Sequence, residues 1–134
     1  MLTSETKIRV RYGECDPMGI VYYGNYLLYY EVARSEMLLQ NGMSYSEIEK
    51  KGILLPVIHA DLDYLSSGFY NDLLTVKSTL LELPLVKLKF SYEINNELGT
   101  IINKGSTTLV YLDAKTRRPC RAPEYFLDKM RMFF

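Results

Sequence analysis

Gly13-Glu14-Cys15-Asp16-Pro17-Met18-Gly19-Ile20-Val21-Tyr22-Tyr23-Gly24-Asn25-Tyr26 separates two different periodicities in this chain. Its first half is turn chemistry. Asp16, Pro17 and Gly19 stand at the first, second and fourth positions expected of a type I turn. Before it, Ile8, Val10 and Tyr12 alternate with Lys7, Arg9 and Arg11, the period of a half-buried strand over Thr6–Tyr12. After it, Tyr26, Tyr30, Ala33 and Met37 recur every three or four residues and draw one apolar stripe along a helix.

Gly42 is placed to stop that helix. A short second helix follows, with Ser44 and Glu47 as a capping box, Met43 and Ile48 as a hydrophobic staple, and Gly52 as its end. From there the chain reads as strands: Pro56–Tyr64, Leu73–Leu83, Leu88–Ile94 and Thr100–Leu112. The third is the clearest, with Leu88, Phe90, Tyr92 and Ile94 alternating against Lys87, Lys89, Ser91 and Glu93. Asn95-Asn96 and Gly99 mark a hairpin, Asp113–Pro123 is polar and basic, and Glu124–Phe134 closes as a short helix or amphipathic tail. Short connections force neighbouring strands to be antiparallel. The expected class is α+β: residues 1–134 as one domain, a long helix wrapped by a curved five-stranded antiparallel sheet.

Composition narrows the function. The 134 residues are 48% hydrophobic, enough for a real core. Sixteen basic residues balance sixteen acidic ones, which counts against general nucleic-acid binding. No apolar run approaches the roughly 18 residues of a membrane span, and Met1–Arg11 has no signal-peptide core. A soluble cytoplasmic protein is the expectation. Cys15 and Cys120 have no CxxC partner and there is one histidine, so neither a metal site nor a redox dithiol is indicated.

A loop entering a helix presents unpaired N–H groups and the positive end of the helix dipole, which suits a carbonyl developing negative charge. Asp16 stands just before such a helix start, where a carboxylate could attack a thioester carbonyl or activate water to do so. The plainer reading is that Asp16 only holds its own turn. The residues alone leave both open.

The run Tyr12–Tyr26, followed by Tyr30-Glu31-Val32-Ala33-Arg34-Ser35-Glu36-Met37, resembles the 4-hydroxybenzoyl-CoA thioesterase family, which includes acyl-CoA thioesterases of the Tol-Pal operon type. Element order matches over nearly the whole chain, down to Pro56 opening a strand and Arg118-Pro119 near the end. The resemblance implies a hot-dog fold and hydrolysis of an acyl-CoA to acid and CoA, with no metal or cofactor beyond the substrate's own coenzyme A. It implies Asp16 as the catalytic carboxylate, nucleophile or general base, and Tyr23 as the residue whose N–H polarises the carbonyl. Operon-type members often carry His there; Tyr leans toward the 4-hydroxybenzoyl type. Gly19 and Gly24 would serve loop shape and access, and Val21, Tyr22 and Tyr26 complete the candidate substrate-binding set. The resemblance also implies a homodimer joined sheet edge to sheet edge, commonly paired into a homotetramer, with sites between subunits.

Lys115, Arg117, Arg118 and Arg121 concentrate positive charge near the end of the chain. Arginine suits the phosphates of CoA, and Arg117, Arg118 and Arg121 are the candidates to grip them; a merely solvated loop is the alternative. Glu31 and Arg34, three apart on the helix, predict a surface ion pair. The resemblance, through a branch of hot-dog thioesterases that uses a helix glutamate, implies Glu31 as the fallback base. His59 beside Asp61 reads as structural, and Cys15 as a small buried residue. Two rivals remain: a hot-dog dehydratase, which the position of the lone histidine opposes, and a non-catalytic protein that binds acyl-CoA or an acyl carrier protein.

Overall fold

The computed structural model describes residues 1–134. The chain runs through β1 (Leu2–Arg9), α1 (Asn25–Gln40), α2 (Tyr45–Lys50), β2 (Ile53–Leu54), β3 (Val57–Tyr64), β4 (Leu73–Leu80), β5 (Lys87–Asn95), β6 (Ile101–Asp113), β7 (Pro119–Cys120) and α3 (Glu124–Met130). The long strands lie in the order β1-β4-β5-β6-β3, every neighbour antiparallel.

The sheet has seven strands rather than the five expected, because β2 and β7 flank the far end of β6. Two-residue strands carry no periodicity, so only the pairing reveals them. Two boundaries also move. β1 spans Leu2–Arg9 instead of Thr6–Tyr12, and Tyr12, 80% exposed, belongs to a 3-10 turn over Tyr12–Glu14. The cause is local: the Glu14 carboxylate accepts the Arg11 N–H at 2.7 Å and pulls the chain out of the strand. β4 ends at Leu80 rather than Leu83.

The helix stripe is as expected. Tyr26, Tyr30, Ala33 and Met37 are all buried against the concave face of the sheet, joined by Tyr29 and Leu38. Tyr30 stacks on Tyr92 of β5 with ring centroids 4.1 Å apart and planes 5° apart, and its hydroxyl donates to Asn103 of β6 at 2.7 Å. Each large side chain so buried contributes about 1.5–3 kcal/mol. The helix ends as Gly42 predicts. Gly42 takes φ +75°, its N–H bonds the Leu39 carbonyl and Met43 bonds Leu38, a Schellman closure with Met43 and Leu38 both buried. Lys129 of α3 caps the Gly42 carbonyl at 2.7 Å. Ser44 caps α2 through the Glu47 N–H at 3.1 Å, but the glutamate does not return the bond, so only half the box forms.

One helix expectation fails. Glu31 and Arg34 form no ion pair: Glu31 is exposed, while Arg34 is 8% exposed and its Nε donates to the Tyr45 hydroxyl at 3.1 Å. Arg34 lies on the edge of the buried stripe, so packing of α2 decides its environment.

Candidate active site

Asp16 sits at the tip of a small hairpin. Cys15 bridges Val21, Asp16 N–H bonds the Ile20 carbonyl at 2.9 Å, and Gly19 N–H closes the turn on the Asp16 carbonyl at 2.9 Å. Gly19 takes φ +80°, which requires glycine after such a turn. The Asp16 Oδ1 accepts the Met18 N–H at 2.8 Å, and Oδ2 has no partner in the chain. The turn role and a free carboxylate oxygen therefore coexist in one residue.

The hairpin feeds α1. Tyr22 N–H bonds the Glu14 carbonyl at 2.9 Å and Asn25 N–H bonds the Tyr22 carbonyl at 2.9 Å, while the N–H groups of Tyr23 and Gly24 find no acceptor. Gly24 is the N-cap and offers no side chain to them. Two backbone donors at the positive end of a 16-residue helix are thus left for an outside acceptor.

Four tyrosines gather around this helix start. Tyr22 and Tyr23 lie 4.6 Å apart, Tyr23 and Tyr64 6.4 Å, and Tyr26 and Tyr64 6.0 Å, by ring centroids. Tyr64, the last residue of β3, donates its hydroxyl to the Tyr23 carbonyl at 3.2 Å. Tyr23 and Tyr64 remain 62% and 53% exposed, an apolar surface beside the free donors. Sequence reading missed Tyr64; its signal was the inward phase of β3, shared with Leu62. Val21 and Tyr26 are buried instead, engaged with Gly68: Val21 N–H bonds its carbonyl at 2.9 Å and its N–H donates to the Tyr26 hydroxyl at 3.2 Å. Burial, offset in part by that bond, pushes the Tyr26 phenol up.

The basic residues lie elsewhere. Asp113 caps the turn after β6 by accepting N–H bonds from Lys115 and Thr116, and Arg117 takes a left-handed φ of +61°. Lys115, Arg117, Arg118 and Arg121 are all exposed and carry no ion pair. β6 meets Tyr30 of α1 near its start, through Asn103, and reaches α3 near its end, through Tyr111 against Phe126. α3 in turn caps the C-terminus of α1. The basic turn is therefore at the opposite end of α1 from Asp16, about 24 Å of helix away.

The other candidates have local partners. His59 Nε2 lies 3.3 Å from Asp61 Oδ2 on the exposed outer face, and Ser106 donates to the same oxygen at 2.6 Å. That serine hydroxyl, then the histidine, holds the Asp61 carboxyl below the usual range. The Ser106 hydroxyl bonds the Asp61 carboxylate and not the imidazole, so the group is not a nucleophile hydrogen-bonded to its base. The Cys15 thiol is half-buried, directed at the Arg11 carbonyl at 3.7 Å, and burial pushes it up.

The family model of the Thioesterase-like superfamily matches residues 10–130, and the chain, a hot-dog sheet around one long helix, belongs to that family. Among individual proteins, it is 33% identical over 128 residues to YneP of Bacillus subtilis (strain 168), a candidate acyl-CoA thioesterase by name, covering 96% of this chain and 93% of that one. It is 26% identical over 124 residues to the acyl-CoA thioester hydrolase YbgC of Escherichia coli O157:H7, covering 92% of each. Its fold superposes on the DHNA-CoA thioesterase of Staphylococcus aureus with a TM-score of 0.92 at 37% identity, over 99% of this chain and 89% of that one. No helix is long and apolar enough to cross a membrane.

Proposed function

We propose that this protein hydrolyses an acyl-CoA thioester bearing an aromatic acyl group. The observation that carries the reading is the hairpin carboxylate of Asp16 joined directly to a helix start whose Tyr23 and Gly24 N–H groups lack acceptors. The thioester oxygen accepts those two bonds, and the carbonyl carbon is presented to Asp16. Two routes use that placement. As a base, the carboxylate takes a proton from water while the water oxygen bonds the carbonyl carbon; the C–S bond then breaks and the thiolate leaves with a proton. As a nucleophile, it forms a mixed anhydride with loss of the thiolate, which water then opens. Neither route requires redox chemistry. The aromatic preference is supported by the exposed Tyr22, Tyr23 and Tyr64 rings, whose faces and edges suit a flat acyl group. The similarity to the Staphylococcus aureus DHNA-CoA thioesterase points the same way.

Thiol release from a panel of aromatic and aliphatic acyl-CoAs, beside acyl-pantetheine analogues lacking the nucleotide, tests this reading. The expected result is turnover of aromatic members first. Replacing Arg117, Arg118 and Arg121 together with alanine is expected to raise KM for the CoA esters about tenfold or more and to leave the analogues unaffected. Binding of acyl-CoA without thiol release would favour the non-catalytic reading instead.

The separation of the basic turn from Asp16 supports a dimer in which one protomer supplies the carboxylate and its partner the phosphate grip. β3 supports the same assembly. It is one edge of the sheet, pairs only with β6, and is exposed along nearly its whole length, including Val57, Ile58 and Tyr64. An open edge of that kind is a template for a second copy. Sedimentation equilibrium is expected to give a dimer or a multiple of one; a monomer that turns over acyl-CoA would sink the shared-site arrangement.

A further inference from the structure

We infer that Glu14 is a positioning residue for the thioester site, an inference that rests on the reading of Asp16 given above. Asp16 is anchored within its own turn, so something else must set where that turn stands relative to α1. Glu14 makes that connection with both its backbone and its side chain. Its carbonyl accepts two bonds, from Tyr22 N–H at 2.9 Å and from Asn25 Nδ2 at 2.8 Å. Its Oε1 accepts the Tyr29 hydroxyl at 3.0 Å and the Arg11 N–H at 2.7 Å, and its Oε2 the Arg11 guanidinium at 3.3 Å.

Asn25 and Tyr29 are four residues apart, one above the other on the same helix face. Glu14 therefore grips the start of α1 at two successive turns, Asn25 through its carbonyl and Tyr29 through its carboxylate. Tyr29 is buried, and the Glu14 side chain is 18% exposed, so these charge-assisted bonds are sheltered from water. Burial, then the carboxylate, pushes the Tyr29 phenol up, keeping it a donor. In the hairpin, Glu14 stands opposite Tyr22 as Cys15 stands opposite Val21, two residues before Asp16 on one arm and across from the residue before Tyr23 on the other. A slip at Glu14 changes the distance between the two halves of the site. Both carboxylate oxygens are already engaged, so Glu14 is not available as a second base.

The other arm of the hairpin is held separately, by Val21 N–H on the Gly68 carbonyl and by Ile20 bridging Phe69. Loss of the Glu14 side chain should therefore loosen the site without unfolding the protein. The test compares Glu14→Ala, Glu14→Gln and Tyr29→Phe by steady-state kinetics and by amide hydrogen exchange over residues 15–25. Glu14→Ala is expected to lower kcat 10- to 100-fold with KM within threefold, and to speed exchange in that segment while β4, β5 and β6 stay protected. Glu14→Gln keeps an acceptor for Tyr29 and Arg11 and should restore most of both. Tyr29→Phe should add little to the loss in Glu14→Ala. A kcat in Glu14→Ala within threefold of native would overturn the inference, as would a loss that Glu14→Gln shares in full. Failure of the thioesterase reading is distinguishable: the native protein would then release no thiol, and the exchange comparison alone would decide whether Glu14 positions the hairpin.

Discussion

Asp16→Asn is expected to lower kcat for acyl-CoA hydrolysis by about 10²–10⁴-fold while the folded protein stays intact. The substitution separates the two roles that meet in this side chain. Asparagine keeps an Oδ1 to accept the Met18 N–H, now bonded at 2.8 Å, so the turn and the Gly19 closure survive. What is lost is the charge on the carboxylate, and with it the base or nucleophile. The measurement is thiol release for both proteins on the best substrate of the panel, with thermal midpoints compared in parallel. A variant as active as the native protein would remove Asp16 from the chemistry, and Glu31, exposed on α1, would be tested next. Equal midpoints with a large kinetic loss would assign the residue to catalysis rather than to folding.

The second large effect is on stability. Gly105→Ala is expected to cost about 3 kcal/mol, the upper part of the usual range for overpacking a core. A Cβ at Gly105 would stand 2.5 Å from the Asp61 carbonyl oxygen, 2.6 Å from the Tyr30 hydroxyl and 2.9 Å from the Tyr30 ring. Neither neighbour is free to yield. Asp61 belongs to the adjacent strand, in register at Ser106, and Tyr30 is pinned by its bond to Asn103 and its stack on Tyr92. For a chain of 134 residues, 3 kcal/mol corresponds to a midpoint lowered by about 10 °C. Gly13→Ala is the control, because a Cβ there meets nothing within 4 Å and should change stability by less than about 0.5 kcal/mol. A Gly105→Ala protein as stable as native would mean that Tyr30 packs differently from the arrangement described.

Much of the fold was legible before any tertiary information. The stripe of Tyr26, Tyr30, Ala33 and Met37, the alternation from Leu88 to Ile94, the Gly42 stop and the Asp16–Gly19 turn all follow from spacing and backbone freedom. These are local rules. A helix or strand repeats its side-chain direction every few residues, so the pattern of burial is written in the neighbouring sequence itself. The Asp16 segment was legible for the same reason, as a turn entering a helix, although the choice between a turn residue and a chemical group required the resemblance.

What the sequence left open depends on partners distant along the chain. Arg34 is buried because α2 brings Tyr45 over it, not because of its own spacing to Glu31. Tyr64 reaches the helix start only because β3 pairs with β6 in one register out of several. Glu14 looks like any turn carboxylate until Asn25 and Tyr29 are folded back onto it. Nothing local tells how far the basic turn stands from Asp16; the length of α1 separates the two. Local periodicity determined which elements form and which faces they bury. Register and packing between segments tens of residues apart determined which polar groups meet, because that pairing is set by the geometry of the closed sheet rather than by any run of neighbouring residues.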